Sequence, residues 1–449
     1  MTAGAGSRIA DLPLRELLPK LREDRVSLEE YIEDVLLRVE EREPVLQALL
    51  PEENRRERLL SAAESLRARF PEGRRAPLYG ALYGVKDIFK VDGFPMRAGS
   101  RLPEEAFDGP QSAIVDRLSE LGALPLGRTV TTEFAYFSPG PTTNPRNPEH
   151  TPGGSSSGSA AAVGAGYCRF ALGTQTIGSI IRPASFCGVW GVKPSFGTLP
   201  TTGVFPFSES ADHVGFLLGN VSDASLLLGI LLDGAPWEEA SEPRASGAGA
   251  SGVGDSFALP DESYLSQVEP ETLKHFEETI GAIEEAGGTI KRSSSLSDIE
   301  EIAVAHREMI AREFYENHRK LFDRYGDLYS EASTKLYREG QGVTEAEATA
   351  AAAGRMQLRR LLDGELVRLG ARAWLSPSAF GTAPKGILST GSPVMNLPWT
   401  YAGLPAVNVP SGTNGNGLPY GLQVVGRFGE DRETVEAARQ VEHILSRGL

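Results

Sequence analysis

Apolar and polar positions divide the 449-residue chain into stretches of different texture. Residues 8–70 read as helices. Leu28, Ile32, Val35 and Val39 recur at three- and four-residue spacings with charged residues between them, which predicts an amphipathic packing helix. Ser27-Leu28-Glu29-Glu30 is a capping-box pattern at its start, with Val26 and Tyr31 placed for a hydrophobic staple. From about 76 to 225 short apolar runs (ALYGV, AIVDRL, FALGT) alternate with Gly, Pro and Ser clusters. That is the pattern of an α/β layer with loops at strand ends, where functional groups are commonly carried. Residues 235–255 are poor in bulky apolar side chains and predict a flexible surface loop. Gly247, Gly249 and Gly252 spell GxGxxG there, but no strand leads in and no evident helix follows, so no dinucleotide site is expected. Residues 257–449 return to α/β character, with helices over about 270–370, then AWLSPSAFGTAP, then LPAVNVPSG and LPYGLQVVG as buried strands. No internal repeat is visible, and residues 1–449 read as a single domain.

Charge and rare residues narrow the function classes. The 60 acidic residues outnumber the 45 basic ones and no basic stripe stands out, which disfavours nucleic-acid binding. Cys168 and Cys187 form no CxxC, so a reducing cytoplasm is expected rather than a disulfide framework. The N-terminus lacks a signal-peptide apolar run, and LLLGILL at 226–232 is too short to span a bilayer. The six histidines show no HExxH and no other close pair, so no metal is expected. No Gly-Lys dipeptide exists, which excludes a P-loop. A soluble cytoplasmic protein with no cofactor and no membrane or nucleic-acid partner is the expectation; a homodimer is compatible with it.

Three segments carry candidate chemistry. Thr151–Ala162 (TPGGSSSGSAAA) has the composition of a linker but leads straight into AAAVGAG, a helix-compatible run. Ser156 completes GxSxG between Gly154 and Gly158, the nucleophile-elbow pattern. An elbow needs a strand immediately before it, and Pro145, Pro148 and Pro152 exclude a central strand there. In Leu172–Gly188 small residues crowd around Ser179, and consecutive backbone N–H groups in such a turn can form an oxyanion hole; a satisfied serine in a buried strand-turn is the alternative. A nucleophilic serine needs a base, and no histidine lies in these motifs. Of nine lysines, Lys86 closes the apolar run LYGV and precedes Asp87. Burial could make its amine a neutral base; a salt bridge is the alternative.

Together these segments resemble the amidase signature family. The resemblance rests on GVKD at 84–87, PGGSSSGSAAAVGAG at 152–166 and GTQTIGSIIRPASFCGVWGVKPS at 173–195, with TTEFA at 131–135, the TG pair and the closing tracts GLPAVNVPSG and GLPYGLQVVG in support. It covers roughly residues 20–449. It implies an α/β fold with a large central mixed sheet covered on both faces by helices, residues 76–225 forming the catalytic core and 257–449 completing sheet and pocket. It implies a hydrolase acting on a small-molecule amide, with Ser179 as nucleophile, Lys86 as base and Ser155, 24 residues before Ser179 and after a cis peptide bond, as the bridging serine. The N–H groups of Thr176, Ile177, Gly178 and Ser179 match the oxyanion-hole stretch.

The family text here is commonly GTDTGGSIR. In this chain Gln175 replaces the aspartate, Ile177 replaces a glycine and the arginine falls one place later, at Arg182. Gln175 keeps hydrogen bonding without the negative charge, and Ile177 adds bulk beside the hole. These changes bear on substrate placement more than on the Lys–Ser–Ser relay. The competing classes are a glutaminase-type subunit of a tRNA-dependent amidotransferase, which the Gln175 and Arg182 departures disfavour, and an inactive binding relative, against which the retained Lys86, Ser155 and Ser179 count. Pocket walls are expected from 290–370 and 375–400, where Phe314, Tyr315, Phe380 and Trp399 read equally well as core.

Overall fold

A computed structural model describes residues 8–232 and 256–448. The expected loop at 235–255, with its GxGxxG, lies outside the described residues. The N-terminal part of the chain is helical as expected: α1 (Leu14–Arg22), α2 (Leu28–Leu46) and α3 (Arg55–Arg69). The capping box at Ser27 is formed in both directions, Ser27 Oγ accepting from Glu30 N–H and the Glu30 carboxylate accepting from Ser27 N–H. Leu28, Ile32, Val35 and Val39 are all buried.

The core is a ten-stranded mixed sheet flanked by helices, the α/β class implied by the sequence. In chain order the strands are β1 (Leu82–Lys86), β2 (Leu124–Thr129), β3 (Phe170–Gln175), β4 (Trp190–Lys193), β5 (His213–Leu218), β6 (Ser256–Leu259), β7 (Thr289–Arg292), β8 (Ala373–Pro377), β9 (Ala406–Thr413) and β10 (Pro419–Val425). Their spatial order is β2-β1-β3-β5-β4-β9-β10-β8-β6-β7. The antiparallel β4–β9 pair joins the strands of 82–218 to those of 256–425. LPAVNVPSG and LPYGLQVVG are β9 and β10, paired antiparallel and almost wholly buried. The stretch expected to be helical over 270–370 is interrupted by β7. This edge strand, TIKR, is half exposed and has one apolar side chain, Ile290, so it carries no alternating pattern to read. Among the described residues no helix is long and apolar enough to cross a membrane.

Two features of the sheet position the site. Strands β1 and β3 are parallel neighbours, Val85 beside Leu172, so the chain leaves both at the same edge, the usual place for sites in parallel α/β sheets. Between them, AIVDRL forms the short helix α4 (Ala113–Glu120), which leads into β2. The serine- and glycine-rich segment then forms α5 (Ser157–Gly164), buried along nearly its whole length against β1, β2, β3 and β5. After β3 the chain makes a turn and enters α6 (Ile181–Cys187). No strand leads directly into α5, and Ser156 Oγ is bonded to Thr174 N–H and C=O. The elbow pattern therefore has no elbow, and Ser156 is a satisfied core serine. Gly158 has its own reason to be glycine: a Cβ there would run into Ala48 O and Val130 N, while its N–H donates to Val130 O at 2.9 Å. Gly158→Ala should cost about 1–3 kcal/mol by overpacking, seen as a lower denaturation midpoint in urea; an unchanged midpoint would show that α5 has room to shift.

Candidate active site

The site begins with two buried ionisable residues in succession. Lys86 ends β1 and is fully buried; Asp87 follows it and is also buried. They do not pair with each other. Asp87 accepts from Arg128 at 2.8 Å and from the N–H groups of Arg97 and Gly99 at 3.3 Å. Burial pushes the Asp87 carboxyl up and the Arg128 guanidinium down, each partly offset by the other's charge. Lys86 Nζ instead donates to Ser155 Oγ and Thr174 Oγ1, both at 2.8 Å. With no carboxylate in contact among the described residues, burial holds its amine well below the usual lysine range; the opposing influence is the charge of Asp212. The salt-bridge alternative for Lys86 is thereby excluded, because Arg128 already occupies Asp87.

Ser155 follows a cis Gly154–Ser155 peptide bond. The loop that holds it is laced on all sides. Thr132 N–H donates to Ser155 O at 3.2 Å, Ser157 Oγ donates to Gly153 O at 2.9 Å, and Asn144 Nδ2 donates to the carbonyls of Thr151 and Phe186. Arg182, the arginine displaced by one position, has its terminal nitrogens on Gly154 O and Gly391 O. It ties the cis peptide, α6 and the TG tract into one piece. Burial alone lowers this guanidinium to about 9.

The turn from Gln175 to Ser179 has its carbonyls held and its amides left open. His213 Nδ1 lies 3.2 Å from Gln175 O, and His306 Nε2 lies 3.0 Å from Thr176 O. Thr400 Oγ1 donates to Ile177 O at 2.7 Å, Arg182 N–H to Gly178 O at 3.0 Å and Ser156 N–H to Ser179 O at 3.3 Å. Among the described residues no protein group accepts from the N–H of Thr176, Ile177, Gly178 or Ser179. Four open amides in succession, their carbonyls held, are the kind of backbone that can receive an anion. Burial pushes His306 down to about 4 and His213 well down, so both are neutral near pH 7. Among the described residues no group of three or more His, Cys, Asp or Glu side chains could hold a metal ion.

Gln175, in place of the family's aspartate, accepts from Ile180 N–H at 2.8 Å and Ile181 N–H at 2.9 Å, and donates to Thr400 Oγ1 at 2.9 Å. Hydrogen bonding is kept without the charge. Of the three side chains expected to form the relay, the structure brings Lys86 and Ser155 into direct contact. Ser179 is tied to the neighbouring Ser156 N–H through its backbone carbonyl, and no Ser155–Ser179 hydroxyl bond is formed. Such bonds are often loose in unliganded sites and tighten around substrate.

Sequence reasoning missed two residues. Thr174, the second partner of Lys86, is masked by lying in a buried strand. Asp212 accepts from Thr176 Oγ1 and from the N–H groups of Phe207 and Ser208, and burial raises its carboxyl to about 6. Its only sequence signal is an acidic residue between Ala211 and the apolar strand HVGFLL. The cleft walls meet expectation only in part. They come from Ala135, Tyr136, Phe137, Phe207, Ile177 and Pro393; Pro393 lies in the expected 375–400, and none lies in 290–370. Phe314 and Trp399 are core, Phe314 lying behind Tyr136 and Phe207.

Comparison with known proteins finds similarity over most of the chain. The family model described as Amidase matches residues 30–435. The chain is 31% identical over 468 residues to the A subunit of glutamyl-tRNA(Gln) amidotransferase from Geobacter metallireducens, covering 94% of this chain and 95% of that protein. It is 31% identical to the protein of the same name from Halothermothrix orenii, covering 97% and 98%. A solved structure of an amidase is similar at 30% identity with a TM-score of 0.83, covering 96% of this chain and 99% of that one. The peptide amidase of Stenotrophomonas maltophilia shares the fold at 24% identity, TM-score 0.77 and 97% coverage of both chains.

The two buried basic side chains should respond differently to removal. Arg128→Met leaves Asp87 buried without its partner and should cost about 3–5 kcal/mol. Lys86→Met replaces an amine that burial biases toward its neutral form by an apolar chain of similar length and should cost less, about 1–3 kcal/mol for two hydroxyls left without a donor. Urea denaturation of both variants checks this; equal losses would mean that Lys86 is buried charged.

Proposed function

The chain belongs to the amidase family, and we propose that it hydrolyses a small carboxylic amide to the acid and ammonia or an amine through Lys86, Ser155 and Ser179, the whole chain acting as one domain. The observation that carries this reading is the Lys86–Ser155 contact at 2.8 Å, made by a buried amine that no carboxylate touches among the described residues.

A neutral Lys86 donates one hydrogen to Thr174 Oγ1, which leaves its lone pair for the Ser155 proton. As Ser155 gives up that proton it takes one from Ser179 Oγ, and Ser179 attacks the amide carbon. The charge that develops on the carbonyl oxygen is received by the N–H groups of Thr176, Ile177, Gly178 and Ser179. The relay runs backward to protonate the leaving nitrogen as the C–N bond breaks, and an ester to Ser179 remains. Water then gives its proton to the same relay, attacks the ester and releases the acid. Asp212 acts as a positioning residue, joining the oxyanion turn through Thr176 to the cleft wall at Phe207.

A second reading, a glutaminase-type subunit of an amidotransferase, is favoured by the names of the sequence relatives. Glutaminase activity that appears only with a copurifying partner would support it over the free-standing hydrolase.

Ser179→Ala should reduce hydrolysis to background, and a phenylmethylsulfonyl reagent should label Ser179 in the wild type; an adduct mapped to another serine overturns the assignment. Ser156→Ala should cost stability, roughly 1–3 kcal/mol for the lost Thr174 contacts, and leave turnover measurable. Lys86→Met should fold and be inactive. The pH profile has a definite sign. Burial disfavours the ammonium form, so the neutral base persists to lower pH than for a free lysine, and activity falls on the acid side as Lys86 protonates. Asp212 raises the Lys86 value. Asp212→Asn should therefore move the acid limb of kcat/KM to lower pH; a limb moved upward would show that Asp212 is not felt at the amine.

A further inference from the structure

A second concavity lies at the far end of the elements that hold Ser155 and Ser179. Strand β3 leads into the Gln175–Ser179 turn at its C-terminal end, and Arg169 stands just before its first residue, Phe170. The six residues of β3 span roughly 20 Å. Helix α5 starts beside Ser155 and ends at Gly164; α6 starts just after Ser179 and ends at Cys187. Arg169, Gly164 and Gly188 all line one open groove of about 470 Å³, within the usual range of small-molecule sites, about 300–1,000 Å³. No residue of this groove lines the Ser179 cleft, and the acyl-transfer chemistry does not use it.

The groove is cationic in a chain of net charge −15. Its charged lining is Arg8, Arg38, Arg42, Arg146 and Arg169 against Asp11 and Glu41. Both carboxylates are committed. Arg38 holds Asp11 through its two terminal nitrogens at 2.7 and 3.0 Å, and Arg8 holds Glu41 at 3.0 Å. Among the described residues Arg42, Arg146 and Arg169 have no carboxylate partner, which leaves a surplus of three positive charges. Arg42 and Arg146 have structural duties. Arg42 donates to the carbonyls of Ala165 and Pro145, and Arg146 to those of Cys187 and Gly188. These bonds satisfy carbonyls at the C-terminal ends of α5 and α6, and they leave other N–H groups of each guanidinium unused. Arg169 has no such duty. Its guanidinium forms no hydrogen bond or ion pair within the described residues, and its Nε is shut off from solvent without a partner. Gly219 leaves space beside it, since a Cβ there would come within 2.6 Å of Arg169 Nη2. A buried donor without an acceptor is a cost that native structures rarely leave unmet, and an anion in the groove would meet it.

We propose that this groove binds a compact anion carrying two phosphate groups, a diphosphate or a bisphosphate, through Arg42, Arg146 and Arg169. The planar guanidinium fork matches phosphate oxygens with two parallel bonds. Two phosphate groups carry about −3 to −4 near neutral pH, at roughly −1.5 to −2 each, which balances the surplus; two carboxylates bring less. The arginines come from separate stretches of the chain, so the cluster forms no basic stripe in the sequence. The proposal stands independently of the amide-hydrolysis reading.

The test is isothermal titration calorimetry of the full-length protein with sodium pyrophosphate, orthophosphate and succinate, at constant ionic strength and without added divalent metal. Pyrophosphate should saturate one site per chain, bind about tenfold or more tightly than the other two, and weaken as salt rises. Arg169→Gln should weaken pyrophosphate binding by about tenfold or more. The ligand-free variant should melt at the wild-type temperature, because this guanidinium is bonded to nothing in the described chain. Arg146→Gln, at an exposed position, should weaken binding likewise and keeps the proposal testable if Arg169→Gln fails to fold. Lys274→Gln removes an exposed lysine outside the groove and should change nothing. Absence of saturable pyrophosphate binding overturns the proposal. So does equal affinity for the three anions, or a loss in the folded arginine variants no greater than in Lys274→Gln.

Discussion

Everything in the site depends on one constraint: an amine buried at the end of β1 with no carboxylate against it among the described residues. A charged lysine in that position would need a counterion or would shift toward its neutral form. The fold removes the nearest candidate, Asp87, by giving it Arg128 and two backbone amides. Lys86 is left with two hydroxyls, Ser155 and Thr174, which can solvate a neutral amine but compensate a charge poorly. The β1–β3 pairing places Thr174 there, and the loop before α5 places Ser155. Backbone topology thus determines the protonation preference of a single side chain.

The turn after β3 follows the complementary rule. An oxyanion hole needs amides that point to one place and stay there, and backbone amides can be oriented by holding the carbonyls. Each carbonyl from Gln175 to Ser179 has a partner from elsewhere in the chain: His213, His306, Thr400, Arg182 and Ser156. Two of these partners are histidines held neutral by burial, with a ring nitrogen turned to a carbonyl of the turn.

Much of this was legible in the sequence. The α2 period, the Ser27 capping box and the buried strands β9 and β10 were each readable because local pattern and tertiary burial agree. The neighbourhood of Lys86 and Ser155, and the cis bond before Ser155, came from motif resemblance; composition alone left Lys86 divided between base and salt bridge. What was not legible has a common cause. Thr174, Asp212 and the aromatic wall act through contacts between segments far apart in the chain, such as Thr400 with Ile177 or Asp212 with Thr176. Strand β7 escaped for the opposite reason, as a polar edge with no periodic signature. The expectation that 290–370 lines the cleft failed because Phe314 supports the wall from behind instead of forming it.

Gln175 shows how a departure from the family pattern can be self-consistent. An aspartate at this position could accept from Ile180 and Ile181 N–H as the glutamine does, but it would have nothing to donate and would set a negative charge beneath the open amides of the turn. The glutamine keeps both acceptor bonds and adds a donor, which Thr400 Oγ1 accepts. With its acceptor role filled from that side, Thr400 directs its own hydrogen to Ile177 O. Ile177 is the other departure, a residue that lines the cleft. The two changes are therefore linked by a two-bond chain, Gln175 to Thr400 to the Ile177 carbonyl. The neutral side chain that keeps negative charge away from the open amides also fixes the turn carrying the bulky residue. Charge and shape at this turn are set through the same hydrogen-bonded unit, so altering either position alone should disturb both.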